Sequence, residues 1–151
     1  MDLSEKYIKM CWKAEELQKC WKPRIGDYYW LGSEHLCHSE ACRLLITDPL
    51  RFCYFEMEGK IWLPRQDQIQ EFFDTKIKNS IDVGAYCLTL FSFLKKFKDV
   101  FCAESAEQAW LALWMWNEHN KIWHDKKEMW VPPEETVLEA RSKNGNIKEP
   151  R

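Results

Sequence analysis

The feature that most constrains this chain is an uncharged, tryptophan-rich stretch at residues 109–116, AWLALWMW. Ser105 and Gln108 precede it with the spacing of a capping box, in which the hydroxyl accepts from the backbone N–H of Gln108 and the Gln108 side chain reaches back. Apolar side chains project around the whole helix, so the helix must be covered on most sides. Because a bilayer span needs about 20 apolar residues, we expect a central core helix running from Ser105 to Trp123.

Composition favours one independently folding domain. The chain has 151 residues, 46% of them hydrophobic and nine of them Trp, which can form a core without metals or disulfides. Its 22 basic and 24 acidic residues give a net charge of −2, so no global field attracts nucleic acid or an anionic membrane. Seven Cys is an odd number, and no signal peptide precedes the first helix. We therefore expect reduced, mostly buried cysteines and a cytoplasmic protein without membrane association.

Periodicity and turn residues predict the order of the elements. From the N-terminus they indicate a helix from Asp2 or Ser4 to about Cys20, then strands at Tyr28–Leu31 and Arg43–Ile46, and then a hairpin of Arg51–Met57 and Lys60–Leu63 around Glu58-Gly59. Two helices follow: one is opened by a capping box of Asp67 with Gln70, and the next covers about 82–100. The tryptophan-rich helix comes next, and an edge strand or docked segment at Met129–Val131 is last. The buried face predicted for the helix over 82–100 consists of Val83, Tyr86, Cys87, Leu90, Phe91, Leu94, Phe97 and Phe101. This order predicts an α+β fold: a single compact domain over 1–133, mainly helical with a small antiparallel sheet packed on the helices, and a partly flexible tail over 134–151.

Four stretches together resemble a group of small, uncharacterised phage and prophage proteins of bacteria. They are LSEKYIKMCWKAEELQ near the start, WKPRIGDYYW, the central IWLPRQDQIQ, and AWLALWMWNEHNKIW late in the chain. The resemblance covers most of residues 3–131, and its unusual part is the WLPRQDQ heptapeptide. It implies a phage or prophage origin and an accessory role. Combined with the cytoplasmic location expected above, it leads us to expect a protein of the bacterial host cytoplasm. The group has no defined activity, so the resemblance assigns no catalytic residue.

The WLPRQDQ stretch is one candidate binding site, formed by Trp62, Arg65, Gln66, Asp67 and Gln68. A junction of strand and helix can present backbone N–H groups and a guanidinium to an anion. The structural alternative is that Pro64 ends the strand, Asp67 caps the helix and Arg65 pairs with a carboxylate of the chain. We favour this structural role, because helix starts routinely use these residue types.

The tryptophan-rich helix is the second candidate. Trp110 and Trp114 are one turn apart and share a face, which at this spacing is typical of a core. In a continuous helix, Trp116 and Trp123 also share a face. Since polar residues flank that face, it is the better candidate for a partly open site, and it includes Trp116, Asn117, His119, Asn120 and Trp123.

A third cluster, His35, Cys37, His38 and Cys42, has the ligand types that zinc prefers. The spacing does not match a zinc site, because three candidate ligands crowd one side and adjacent Cys37 and His38 point to different faces of an extended chain. We therefore predict no bound metal and no cofactor. The thiols and imidazoles are better explained as parts of a surface loop.

No catalytic motif selects an enzymatic function: the chain has no GxSxG, no glycine-rich phosphate loop and no HExxH. A Cys–His pair such as Cys87 with His119 is formally available, yet nothing favours it over chance. Because aromatic residues beyond the needs of a core tend to occur at interfaces, the leading hypothesis is a non-enzymatic phage accessory module that binds a host or phage protein, either as a monomer or as a homodimer. The alternative is a binder of nucleotide or single-stranded nucleic acid that uses Arg65 and exposed Trp. An unrecognised hydrolase is the third hypothesis.

Overall fold

A computed structural model describes residues 1–31, 42–45, 59–74 and 83–136 of the chain. In the described ranges the elements are α1 (Glu5–Trp12), α2 (Glu15–Cys20), β1 (Tyr28–Leu31), β2 (Cys42–Leu45), β3 (Lys60–Leu63), α3 (Gln66–Asp74), α4 (Val83–Phe97), α5 (Ala106–His119), β4 (Ile122–His124) and β5 (Met129–Val131). They form an α+β domain, which confirms the predicted fold class. In these ranges no helix is long and apolar enough to cross a membrane.

The first helical segment is two helices, so the prediction of one helix to Cys20 is wrong. Ser4 caps α1, accepting from the Tyr7 N–H, and the helix ends at Trp12. Ala14 leaves the helical region with φ −93° and ψ 73° before α2 begins. The break frees the Cys11 carbonyl, which accepts instead from the Ala14 N–H and from Gln18 Nε2. Tertiary packing explains the break, because it buries Ala14 and Leu17 while leaving Trp12 exposed.

A three-stranded antiparallel sheet packs against α1. Its order is β2-β1-β3, and both neighbours pair along the whole of β1. Gln18 covers the other edge of β3, since its Oε1 accepts from the Trp62 N–H at 2.8 Å and its Nε2 donates to the Trp62 carbonyl at 3.2 Å. A side-chain amide thus replaces a neighbouring strand, which protects the edge from pairing with another chain. Residues 51–57, the predicted hairpin partner of β3, lie outside the described ranges.

The second sheet is the hairpin of β4 and β5, which includes the segment Met129–Val131 as a strand. Trp123 and Trp130 face each other across it, with ring centroids 5.3 Å apart and edge-to-face geometry. Trp130 Nε1 donates to the Met10 carbonyl at 3.1 Å and so ties the hairpin to α1. Glu128 in the turn adopts a left-handed conformation with φ 48° and is held by Lys9 Nζ at 2.9 Å.

The core forms around α5, as the tryptophan-rich stretch predicts. All residues from Gln108 to Met115 are buried, Trp110 and Trp114 among them. Ser105 Oγ accepts from the Gln108 N–H at 3.1 Å, and Gln108 Oε1 accepts from the Glu104 N–H, one residue before the position that a capping box uses. Helix α3 packs on one side of α5, and α4, α1 and β4 pack on the others.

Helix α5 ends at His119, so the prediction that it continues to Trp123 is wrong. Asn120 is left-handed with φ 51° and ψ 44°, and its N–H donates to the Trp116 carbonyl, while the Lys121 N–H donates to the Met115 carbonyl. Asparagine accepts this conformation more readily than most residues, and it ends a helix for that reason. Strand β4 begins at Ile122, so only Asn120 and Lys121 connect it to α5.

The surface of α4 also differs from the prediction. Phe97 and Phe101 are buried as expected, and Phe93 is buried with them, but Cys87 and Phe91 are exposed. The cysteines as a group are less buried than predicted: where the structure describes their side chains, all are free, and Cys11 is buried while Cys20, Cys87 and Cys102 are exposed. Periodicity alone did not orient α4, because apolar residues occupy more than one of its faces.

Candidate functional site

The junction of β3 and α3 is built by a capping interaction two residues earlier than predicted. Helix α3 begins at Gln66, and Arg65 is the capping residue, because its carbonyl accepts from the Ile69 N–H. Gln68 Oε1 accepts from the Arg65 N–H at 2.9 Å. The predicted box of Asp67 with Gln70 is therefore wrong. Pro64 precedes the cap, and its carbonyl accepts from the buried Tyr7 hydroxyl at 2.6 Å.

The Arg65 guanidinium is used within the chain. Its Nε and Nη2 donate to the two carboxylate oxygens of Asp67 at 3.1 and 3.0 Å, and its Nη1 donates to the Gly26 carbonyl at 2.8 Å. Hydrogen bonding to Asp67 raises the pKa of Arg65, and hydrogen bonding to Arg65 lowers the pKa of Asp67. This fork agrees with the structural role favoured from the sequence, since an incoming anion would have to compete with Asp67.

Beneath this junction lies Asp27, which sequence reasoning did not identify. It is only 2% exposed, yet it carries a carboxylate. Its Oδ2 accepts from Trp21 Nε1 and from the Arg24 N–H, each at 2.9 Å, and its Oδ1 accepts from Gln68 Nε2. Asp27 thus joins the α2–β1 connection to the start of α3. The signal that could have found it is the turn Gly26-Asp27 directly before an aromatic strand.

Trp62 is a core residue rather than a platform for a ligand. It is buried, its ring stacks on Trp21 with an interplanar angle of 3°, and its edge contacts Phe72. The Trp62 Nε1 atom is buried without a hydrogen-bond partner in the described part of the chain. Of the predicted set at this junction, Arg65, Gln66 and Gln68 are partly buried and Asp67 is exposed.

The second predicted site is not formed as a face. Because α5 ends at His119, Trp116 and Trp123 lie on different elements. Trp123 is 1% exposed and belongs to the core, whereas Asn120 is exposed as the helix cap. Trp116 is partly buried against Phe93 and Phe97, and Lys96 Nζ lies 5.0 Å from its ring centroid.

His119 packs edge-on against Trp114, with the ring centroids 4.8 Å apart. Its Nε2 is buried and has no hydrogen-bond partner among the described residues. Cys87 is exposed on α4, and no hydrogen bond joins it to His119 in the ranges that the structure covers. The geometry therefore gives no support to a Cys–His nucleophile pair at these two positions.

The metal candidates His35, Cys37 and His38 lie outside the described residues. The backbone of Cys42 is described and lies in β2, but its side chain is not among the described ones. Among the residues that are described, no group of three or more His, Cys, Asp or Glu side chains could hold a metal ion. The predicted absence of a metal site at residues 35–42 stays a prediction.

A charged cleft of about 380 Å³ lies between α1 and the β4–β5 turn, with Trp123 in its lining. Lys6 Nζ lies 2.8 Å from Asp125 and donates to the Cys102 carbonyl, and Lys9 Nζ pairs with Glu5 and Glu128. Hydrogen bonds to these two glutamates raise the pKa of Lys9. Because its lysines and carboxylates are paired with each other, this cleft serves to fasten the hairpin to α1.

The feature that remains unexplained by packing is the outer face of α4. Leu88 is 70% exposed and Phe91 is 68% exposed, and they are three positions apart on the helix, so they lie on the same face. Burying a side chain of this size is worth about 1.5–3 kcal/mol, so exposing two of them on one face is unfavourable for the isolated chain. The sequence signal was the excess of apolar residues around this helix.

Comparison of the chain with protein-family models, curated proteins and solved structures finds no match.

Proposed function

We propose that this protein is a non-enzymatic interaction module, an accessory protein of phage or prophage that binds a host or phage protein in the bacterial cytoplasm. The observation that carries the proposal is the pair of exposed apolar side chains on α4, Leu88 and Phe91. Large apolar groups that a fold leaves in solvent on one face are typical of protein-binding surfaces.

The polar candidates support the same conclusion. Arg65, Asp67, Gln68 and Asp27 are bonded to one another or to the backbone, and so they hold the β3–α3 junction together rather than present free groups to a substrate. In the charged cleft, lysines and carboxylates neutralise each other. A binding function requires none of these groups to be free.

Site-specific photo-crosslinking in phage-infected bacteria tests the function without assuming which surface binds. A photoreactive amino acid is placed singly at exposed positions on different elements: Lys19 on α2, Ser92 on α4 and Lys126 in the β4–β5 turn. If the protein binds a partner, one or more of these positions should give a discrete covalent adduct with another protein. The amount of adduct should be comparable to the amount of uncrosslinked chain. The absence of a discrete adduct at every position would contradict the proposal.

A further inference from the structure

The outer face of α4 carries two kinds of side chain in sequence. Leu88, Phe91, Lys95 and Lys98 are spaced by three, four and three residues, which places them in one line along the helix and just past its end at Phe97. All four are exposed. The line is apolar for its first half and basic for its second half.

The basic half is not neutralised by any residue in the described part of the chain. Neither Lys95 nor Lys98 forms an ion pair with a residue of the described ranges, whereas Lys6, Lys9 and Lys121 are each paired with a carboxylate. Lys96 lies over the Phe97 and Trp116 rings, and Asp99 is the one acidic residue in the stretch 95–99. The helix dipole favours cations in a last turn, but it gives no reason for exposed Leu88 and Phe91 directly before them.

We infer that the outer face of α4 binds an amphipathic segment of another protein, one that presents a large apolar side chain to Leu88 and Phe91 and carboxylates to Lys95 and Lys98. This inference rests on the proposed function and names the surface and the chemistry of the partner. At 1.5 Å per residue, the apolar and basic positions are about 6–15 Å apart, so the acidic groups of the partner follow its apolar group within one or two helical turns. The lysines attract the partner and fix its register, while the apolar pair supplies the buried centre of the contact.

Selection from a random peptide library against the full chain tests this inference. Peptides that also bind the Phe91→Ser variant are removed first, so that the recovered peptides depend on the outer face of α4. We expect recovered peptides that combine Leu, Phe or Trp with Asp or Glu at helical spacing. Recovery of no peptide that depends on Phe91, or of peptides that are neutral or basic, would overturn the inference.

Binding of the strongest recovered peptide is then measured by fluorescence anisotropy. Phe91→Ser and Lys95→Glu should each weaken binding at least tenfold, and the effect of Lys95→Glu should shrink as ionic strength rises. Matched controls are Ile25→Ser, at a site that is equally 68% exposed, and Lys126→Glu in the β4–β5 turn, and neither should change affinity more than twofold. Equal losses in the controls would overturn the assignment to α4.

Two other occupants of the face give distinct results. Concentration-dependent dimerisation that Phe91→Ser abolishes would assign the face to a second copy of the chain and overturn the inference. Sedimentation with phosphatidylserine–phosphatidylcholine vesicles that Lys95→Glu abolishes would assign it to an anionic lipid surface and overturn it as well. If crosslinked adducts in infected cells persist in the Phe91→Ser and Lys95→Glu variants, the interaction function stands and the α4 assignment fails.

Discussion

Asp27 offers the sharpest test of how the β3–α3 junction is held. Replacing it with Ala removes the acceptor of Trp21 Nε1, of the Arg24 N–H and of Gln68 Nε2. Trp21 is buried, so its N–H is left without water, at a cost of about 1–3 kcal/mol. The Arg24 and Gln68 donors are partly exposed and recover part of their loss by hydration. We expect Asp27→Ala to lower the free energy of unfolding by about 3 kcal/mol.

Asp27→Asn separates the hydrogen bonds from the charge. The amide oxygen still accepts from Trp21 and Arg24, but the amide nitrogen faces the Gln68 Nε2 donor. Gln68 is fixed in this orientation because its Oε1 accepts from the Arg65 N–H. One hydrogen bond is thus lost, and we expect a decrease of about 1 kcal/mol.

Urea unfolding monitored by tryptophan fluorescence and far-UV circular dichroism measures both changes, with Asp99→Ala at an exposed site as the control. The control should remain within about 0.5 kcal/mol of the parent chain. A loss for Asp27→Ala as small as that of the control, or an Asp27→Asn loss as large as that of Asp27→Ala, would refute the argument that unsatisfied donors dominate. An unchanged m-value is required, so that the comparison concerns stability alone.

Four further predictions test other parts of the fold. Trp123→Ala should destabilise the chain by about 3–5 kcal/mol and Trp116→Ala by clearly less, because Trp123 is fully buried; thermal melts that rank them in the opposite order would be inconsistent with β4 as described. Asn120→Gly should leave stability unchanged or higher, whereas Asn120→Val should cost about 1–2 kcal/mol, as urea titration of the pair will show. Burial raises the pKa of Asp2, but hydrogen bonds from Ser105, Ser4 and Gln108 outweigh it and lower the pKa below the ordinary value of 3.8. The ionised carboxylate therefore stabilises the fold above pH 3.8, and this stabilisation is lost as the pH falls through the lowered pKa. Asp2→Asn should flatten the acid limb of a curve of unfolding free energy against pH. A maleimide should label the exposed cysteines quickly and Cys11 only on unfolding, since burial raises the pKa of the Cys11 thiol; mass spectrometry of the labelled sites decides.

Parts of the candidate site could be predicted because they depend on local chemistry. The ion pair of Arg65 with Asp67 is local, because the two residues are two positions apart at a helix start, and the sequence already favoured pairing of Arg65 with a carboxylate of the chain. The hydrogen bond from Gln68 Nε2 to Asp27 could not be predicted, because the two residues are 41 positions apart and only the tertiary structure brings them together. The exposed pair on α4 was missed for a related reason: a helix that is apolar on more than one side gives no indication of which side meets the core.

What the sequence by itself determined is the set of local structures. The uncharged stretch over 109–116 predicts a buried helix, and Ser105 marks the N-terminus of that helix. The aromatic run Tyr28–Leu31 predicts a strand. Each of these depends only on neighbours within a few residues. Only the tertiary structure decided where α1 breaks, where α5 ends and which face of α4 is outside. These outcomes depend on competition among buried contacts from distant parts of the chain. The break after Trp12 lets Gln18 reach β3. The end of α5 at His119, with Asn120 as its cap, lets Trp123 turn into the core against Trp130.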